Sequence, residues 1–104
     1  MLDGVVNNVG LVRPASLADV TLPALDEVFS VNLHPALLAA QAALPGMRER
    51  RWGRIVNISS LTILGMPHRT AYAAAKAALV SFTRSWAIEL ADAGITVNAV
   101  APGP

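Results

Sequence analysis

Three short β-branched runs, separated by two stretches long enough for helices, constrain this chain more than any other feature in it. The runs are Gly4-Val5-Val6-Asn7-Asn8, Arg54-Ile55-Val56-Asn57-Ile58-Ser59 and Ile95-Thr96-Val97-Asn98-Ala99-Val100. Each ends in or is flanked by turn formers, as strands are. Between the first two, Leu22, Leu25, Val28, Phe29, Leu33 and Leu37 recur at helical spacing. Thr21 is a candidate N-cap, with Pro23 in the first turn. The pattern predicts a helix as far as Leu44, where Pro45-Gly46 interrupts it, and the basic tail Arg48 to Arg51 suits a helix C-terminus. Pro35 lies inside this helix, lacks an N–H and predicts a kink. The stretch from Ala71 to Ala91 is alanine-rich and free of Gly and Pro, so a strong helix is expected, with Gly94 at its C′ position.

Strands joined by helical crossovers run parallel, with right-handed connections. The expected fold class is therefore α/β: a three-layer, Rossmann-like arrangement with a parallel sheet of about three strands in βαβαβ order, part of a doubly wound fold. At 104 residues the chain is one domain rather than two, and residues 1–104 are read as a single partial domain. Its composition is 54% hydrophobic and only 14% charged, against about 25% charged in an average soluble domain. A buried parallel sheet, a subunit interface or a missing neighbouring segment would account for that excess of apolar surface.

The same composition excludes several classes. A net charge of +1 gives no attraction to nucleic acid or membrane, and there is no aromatic platform for bases. Without cysteine, disulfides and thiolate metal sites are ruled out. His34 and His68 lack paired metal-ligand spacing, so no metal site is expected. Met1-Leu2-Asp3-Gly4 has no signal-peptide character, and no apolar run approaches the roughly 18 residues of a membrane span. A cytoplasmic location is the expectation. Arg48, Arg50, Arg51 and Arg54 read as a solvated helix end, and Trp52 and Trp86 as packing residues.

Chemistry concentrates elsewhere. Tyr72 and Lys76 stand at i and i+4 on the alanine-rich helix and so share a face. A cation beside a phenol favours the phenolate, which makes such a tyrosine a competent acid/base. Taken alone, the pair is a weak signal, since Tyr and Lys four apart on a helix are usually a packed ring and a solvated amine. Its neighbourhood decides for chemistry: Asn57-Ile58-Ser59-Ser60 ends the preceding strand, and parallel sheets bind ligands at the carboxyl ends of strands. A serine hydroxyl, a phenol and an ammonium can therefore converge in one crevice.

At this point five motifs together resemble those of the short-chain dehydrogenase/reductase family. Asn7-Asn8-Val9-Gly10 is similar to its Asn-Asn-Ala-Gly motif, and Val31-Asn32-Leu33 to its catalytic asparagine on the middle helix. Gly53 to Ser60 resembles its serine strand, Tyr72-Ala73-Ala74-Ala75-Lys76 its Tyr-x-x-x-Lys, and Val97 to Gly103 its Pro-Gly segment. The resemblance spans nearly the whole chain. It implies hydride transfer between NAD or NADP and a small-molecule carbonyl/alcohol pair. By the same resemblance Tyr72 would protonate the developing alkoxide and Ser60 would bond the same oxygen. Lys76 would favour the Tyr72 phenolate and hold the nicotinamide ribose, and Asn32 would support a relay water, helped by acceptors freed at Pro35. Cofactor contacts are implied at Asn7, Gly10, Tyr72, Lys76, Pro102 and Gly103, and a homo-oligomer through the two long helices.

There are three departures from the family pattern. Val9 replaces a smaller alanine. Tyr72 follows Ser60 by one position fewer than usual, so that Ser59 satisfies the count while Ser60 matches the strand motif. Ser60 is favoured, with one residue deleted from the following loop. Finally, the family's first strand, its glycine-rich pyrophosphate turn and its ribose-binding residue have no counterpart here. For the isolated chain that third departure favours a rival reading, a non-catalytic truncated fragment acting only as a folding or oligomerisation module, whereas the intact proton-transfer residues favour the enzyme for the parent protein.

Overall fold

The computed structural model describes residues 3–8 and 10–102. The strands are β1 (Gly4–Asn7), β2 (Gly53–Ile58) and β3 (Ile95–Val100), and the helices α1 (Leu22–Arg50) and α2 (Thr70–Leu90). Short 3-10 turns occupy Leu61–Leu64 and Ala91–Ala93. All pairings are parallel, in the order β1-β2-β3. The expected βαβαβ order and α/β class are what the chain adopts.

Register explains the layering. Val5, Ile55 and Val97 lie side by side across the sheet, as do Val6, Val56 and Asn98 on the other face. The first row faces the helices: Ile55 and Val97 are buried, with Met47, Ala40 and Ala43 of α1 and Leu90 of α2 packed into the same cluster. The second row does not, and Val6 is 66% exposed. The described residues thus form the sheet with one helical layer on a single face. A second cluster, Val28 with Ala71 and Ala75, joins the helices to each other. Alanine on the α2 side of this contact lets Val28 and its neighbours on α1 approach the α2 backbone closely.

The first helix runs on to Arg50, beyond the break expected at Pro45-Gly46. Met47 is fully buried against β2. That packing outweighs the single backbone bond proline removes and the weak helix preference of glycine. Thr21 caps the start, its hydroxyl accepting from the Ala24 amide at 3.3 Å. Arg51 ends the helix in the left-handed region at φ 53°. Gly94 is likewise left-handed at φ 76°, and a Cβ there would run into the Arg51 carbonyl oxygen. The two amino-end turns are therefore packed against each other. Trp52 lies under the Arg54 guanidinium, 4.4 Å from its ring centroid, and half-buried Trp86 packs against the main core and Phe82.

Candidate active site

The carboxyl ends of the strands hold most of the buried polar side chains: Asn7, Asn32, Asn57, Ser59 and Lys76 are all buried. Part of this set is structural. Asn7 donates to Asn57 Oδ1 at 2.8 Å, Asn57 donates to Thr83 Oγ1 at 3.0 Å, and Thr83 donates to the Leu79 carbonyl at 2.8 Å. This chain of hydrogen bonds ties β1 to β2 and β2 to α2. Sequence reasoning missed Asn57 and Thr83. A signal existed for Asn57, since it is in phase with inward-facing Ile55 two positions earlier.

The rest surrounds a cleft of about 340 Å³. Asn8, Gly10, Ser60, Tyr72, Lys76 and Pro102 line it, with Ile58, Ser59 and Val12 completing the wall. Of the residues singled out from sequence, Gly10, Ser60, Tyr72, Lys76 and Pro102 are thus brought together. Asn7 is turned into the hydrogen-bond chain instead, and its neighbour Asn8 takes a place on the wall. Gly103 and Val9 lie outside the described residues.

Lys76 is held at both ends. Its Nζ donates to the Ile58 carbonyl at 3.0 Å, and its own carbonyl accepts from Ser59 Oγ at 2.8 Å. Only 3% of the residue is exposed, and burial lowers its pKa from the ordinary 10.5 by disfavouring the charged form. Nζ lies 5.6 Å from the centre of the Tyr72 ring, within the range of a cation–π contact. Tyr72 is half-buried and rests against the Val28, Ala71 and Ala75 cluster.

The two serines are used differently. Ser59 has its single proton engaged by the Lys76 carbonyl, and its amide donates to Val100 at 2.7 Å. Ser60 caps the 3-10 turn, its Oγ accepting from the Thr62 amide at 3.2 Å and the Thr62 hydroxyl at 3.0 Å. As an acceptor in both bonds, Ser60 keeps its own proton for a group in the cleft.

Asn32 sits behind this wall, 2% exposed. Its amide donates to Val28 at 2.7 Å and to the Leu11 carbonyl at 3.1 Å. Its Oδ1 is buried and has no partner among the described residues, which is costly unless something donates to it. A Cβ on Gly10 would come 3.1 Å from that oxygen and 3.5 Å from Lys76 Nζ, so glycine keeps the passage between them open. Asn32 and Pro35 also border a void of about 10 Å³, close to the least a single water needs.

The sequence profile of the family described as short chain dehydrogenase matches residues 1–104. The chain belongs to that family. Among curated relatives, it is 44% identical over 103 residues to nodulation protein G of Azospirillum brasilense and 45% identical over 103 to the 3-oxoacyl-(acyl-carrier-protein) reductase FabG of Thermotoga maritima. Both alignments take in 98% of this chain and 42% of the relative. A solved structure titled "ElxO with NADP Bound" superposes with a TM-score of 0.94 at 36% identity, over 99% of this chain and 42% of that one. This short-chain dehydrogenase chain therefore spans less than half the length of these relatives. No helix among its described residues is long and apolar enough to cross a membrane.

Proposed function

We propose that these residues form the proton-transfer half of an oxidoreductase that interconverts a small carbonyl compound and its alcohol with NAD or NADP. The observation that carries this is the lining of one cleft by Ser60, Tyr72 and Lys76, with Asn32 Oδ1, which has no partner among the described residues, behind it. These groups fit the nicotinamide-ribose end of such a dinucleotide. Lys76 and Tyr72 would hold the ribose, and the wall of Asn8, Gly10 and Pro102 would flank the ring. The bound cofactor supplies or accepts the hydride.

In the reducing direction the substrate oxygen lies against the Ser60 hydroxyl and the Tyr72 phenol. As negative charge develops on it, Tyr72 gives up its proton and Ser60 donates a hydrogen bond to the same atom. The Lys76 ammonium, held by the Ile58 carbonyl, stabilises the phenolate left behind. A water accepted into the space beside Asn32 Oδ1 would return the proton from solvent. Oxidation runs the same steps backwards, with the phenolate as base.

Several finer readings belong to the same proposal. Residues 1–104 are part of one nucleotide-binding domain of a cytoplasmic protein. The complete protein is a homo-oligomer joined through α1 and α2, whose surfaces expose Leu38 and Ile88 and frame an apolar groove of about 220 Å³ between Leu37, Leu44 and Trp86. The pyrophosphate of the dinucleotide needs glycine backbone at a helix N-terminus, and neither helix here begins with such a turn. Residues 1–104 alone are accordingly expected to bind NADH and NADPH very weakly by isothermal titration, and micromolar binding would overturn that. The activity itself is tested in the complete protein by following nicotinamide absorbance with a panel of ketones and alcohols. Tyr72→Phe should lower kcat about 10²–10⁴-fold. Near-normal turnover by that variant, with folding intact, would rule out the assignment.

A further inference from the structure

Beside the cleft lies a second cavity of about 320 Å³, and the two share Ser60 and Pro102 in their walls. Leu61 and Met66 make one side of it apolar, and Arg69 is its charged residue. Among the described residues the ion pairs are Arg13–Glu27 and Arg50–Asp3, so Arg69 has no carboxylate within salt-bridge distance. It donates from Nη1 to the neighbouring His68 carbonyl at 3.2 Å. A guanidinium carries five N–H donors in a planar fork, so most of its hydrogen-bonding capacity remains for a ligand.

The backbone beneath this side chain is fixed. Ala15 forms an isolated bridge with Arg69, its amide donating to the His68 carbonyl at 3.1 Å. The Arg69 carbonyl accepts from Ala73 at 2.8 Å, closing the first turn of α2. Arg69 is therefore mounted on the helix that carries Tyr72, one turn earlier. The Leu61 amide donates to Pro102 at 3.3 Å and fixes the opposite wall.

Resting on the oxidoreductase reading of the cleft, we propose that Arg69 selects the substrate by binding an anionic group, such as a carboxylate, a few bonds from the reacting carbonyl or alcohol. With that oxygen at Ser60 and Tyr72, the carbon chain crosses the Leu61 and Met66 side and its charged end meets the guanidinium fork. Such a pairing can be bidentate. A site built around a charge discriminates strongly against analogues that leave it unpaired.

The test compares 3-oxohexanoate, its methyl ester and hexan-3-one as substrates of the complete protein, in wild type, Arg69→Gln and Arg69→Lys. Wild type should prefer the acid, mainly through KM. Arg69→Gln should lower the acid-to-ester ratio of kcat/KM by about 10–100-fold, and Arg69→Lys should restore part of it. An unchanged ratio in Arg69→Gln, or a wild type that prefers the neutral compounds, overturns the assignment and leaves the oxidoreductase reading standing. Direct titration of the complete protein with 3-oxohexanoate separates the two readings from the other side. Binding that weakens at least about tenfold in Arg69→Gln without any turnover would support the anion site and defeat the oxidoreductase reading. Equal affinity in both proteins would defeat the anion site.

Discussion

At the amino ends of the strands the connections are short: two residues, Arg51 and Trp52, lead from α1 into β2, and the Ala91–Ala93 turn with Gly94 leads from α2 into β3. At the carboxyl ends they are long, covering residues 8–21 and 59–69. The short turns are filled, with Gly94 pressed on the Arg51 carbonyl and Met47 buried beside Gly53. The long ones leave a cleft, a side cavity and a buried oxygen without a partner among the described residues. One sheet thus has a closed end that holds it together and an open end that keeps polar groups ready for a ligand. Loops on a rigid scaffold are where such groups are usually found.

The division can be broken most severely at the closed end. Gly94→Val would force a β-branched residue into left-handed backbone and against Arg51. A loss of about 3–5 kcal/mol is expected, from strain and overpacking together, read by urea unfolding of the complete protein. A loss under about 1 kcal/mol would show that the turn can move and that the closed end is less rigid than its packing implies.

The open end should answer in activity instead. Ser60→Ala is expected to cost about 10²–10³-fold in kcat, with a stability loss of only about 1 kcal/mol from the cap it gives the 3-10 turn. Ser59→Ala should show the opposite balance, because its hydroxyl holds the Lys76 carbonyl. If Ser59→Ala were the more damaging to turnover at equal stability, the roles of the two serines would have to be exchanged.

Lys76 adds a dependence on pH whose sign follows from its burial. Its folded pKa lies below 10.5. At lower pH both folded and unfolded chains carry the proton, and the fold bears the desolvation cost. As pH rises from the folded value towards 10.5, the unfolded chain binds more protons, so stability increases across that window. Lys76→Met should flatten this rise in thermal unfolding curves taken across the alkaline range. An identical pH dependence in the variant would show that Lys76 is not its source. The smallest expected effect is at the Thr21 cap: Thr21→Ala should cost about 1 kcal/mol and leave turnover near normal, since the cap belongs to the open end only by position. A large activity loss there would tie the α1 terminus to the site.

Much of this division was legible beforehand. The strand runs, the Thr21 cap and the helix from Ala71 follow from local preferences, and the structure has all three. So does the gathering of Ser60, Tyr72 and Lys76, because spacing on one helix and the end of one strand is enough to place them. What local pattern could not give was set by distant packing. Met47 holds α1 together past Pro45-Gly46. Asn57, 50 residues from Asn7 in sequence, draws that side chain away from the cleft wall. The left-handed Arg51 answers to Gly94, on the far side of α2 in the chain. The choice between Ser59 and Ser60 was open in sequence because a one-residue shift in the loop satisfied either count. In the structure their hydrogen bonds differ: Ser59 donates to the Lys76 carbonyl, whereas Ser60 accepts from Thr62.

The double grip on Lys76 has a mechanical side. Ile58 and Ser59 hold the lysine through its side chain and its backbone, and Ser60 is the next residue along. The Ser60 hydroxyl and the helix bearing Tyr72 are therefore fastened together within three consecutive residues. Sliding α2 against the sheet would have to stretch both of these hydrogen bonds, so displacements that change the spacing between Ser60 and α2 are resisted. A site so fastened can tolerate a softer surrounding fold than its own tolerances would otherwise require.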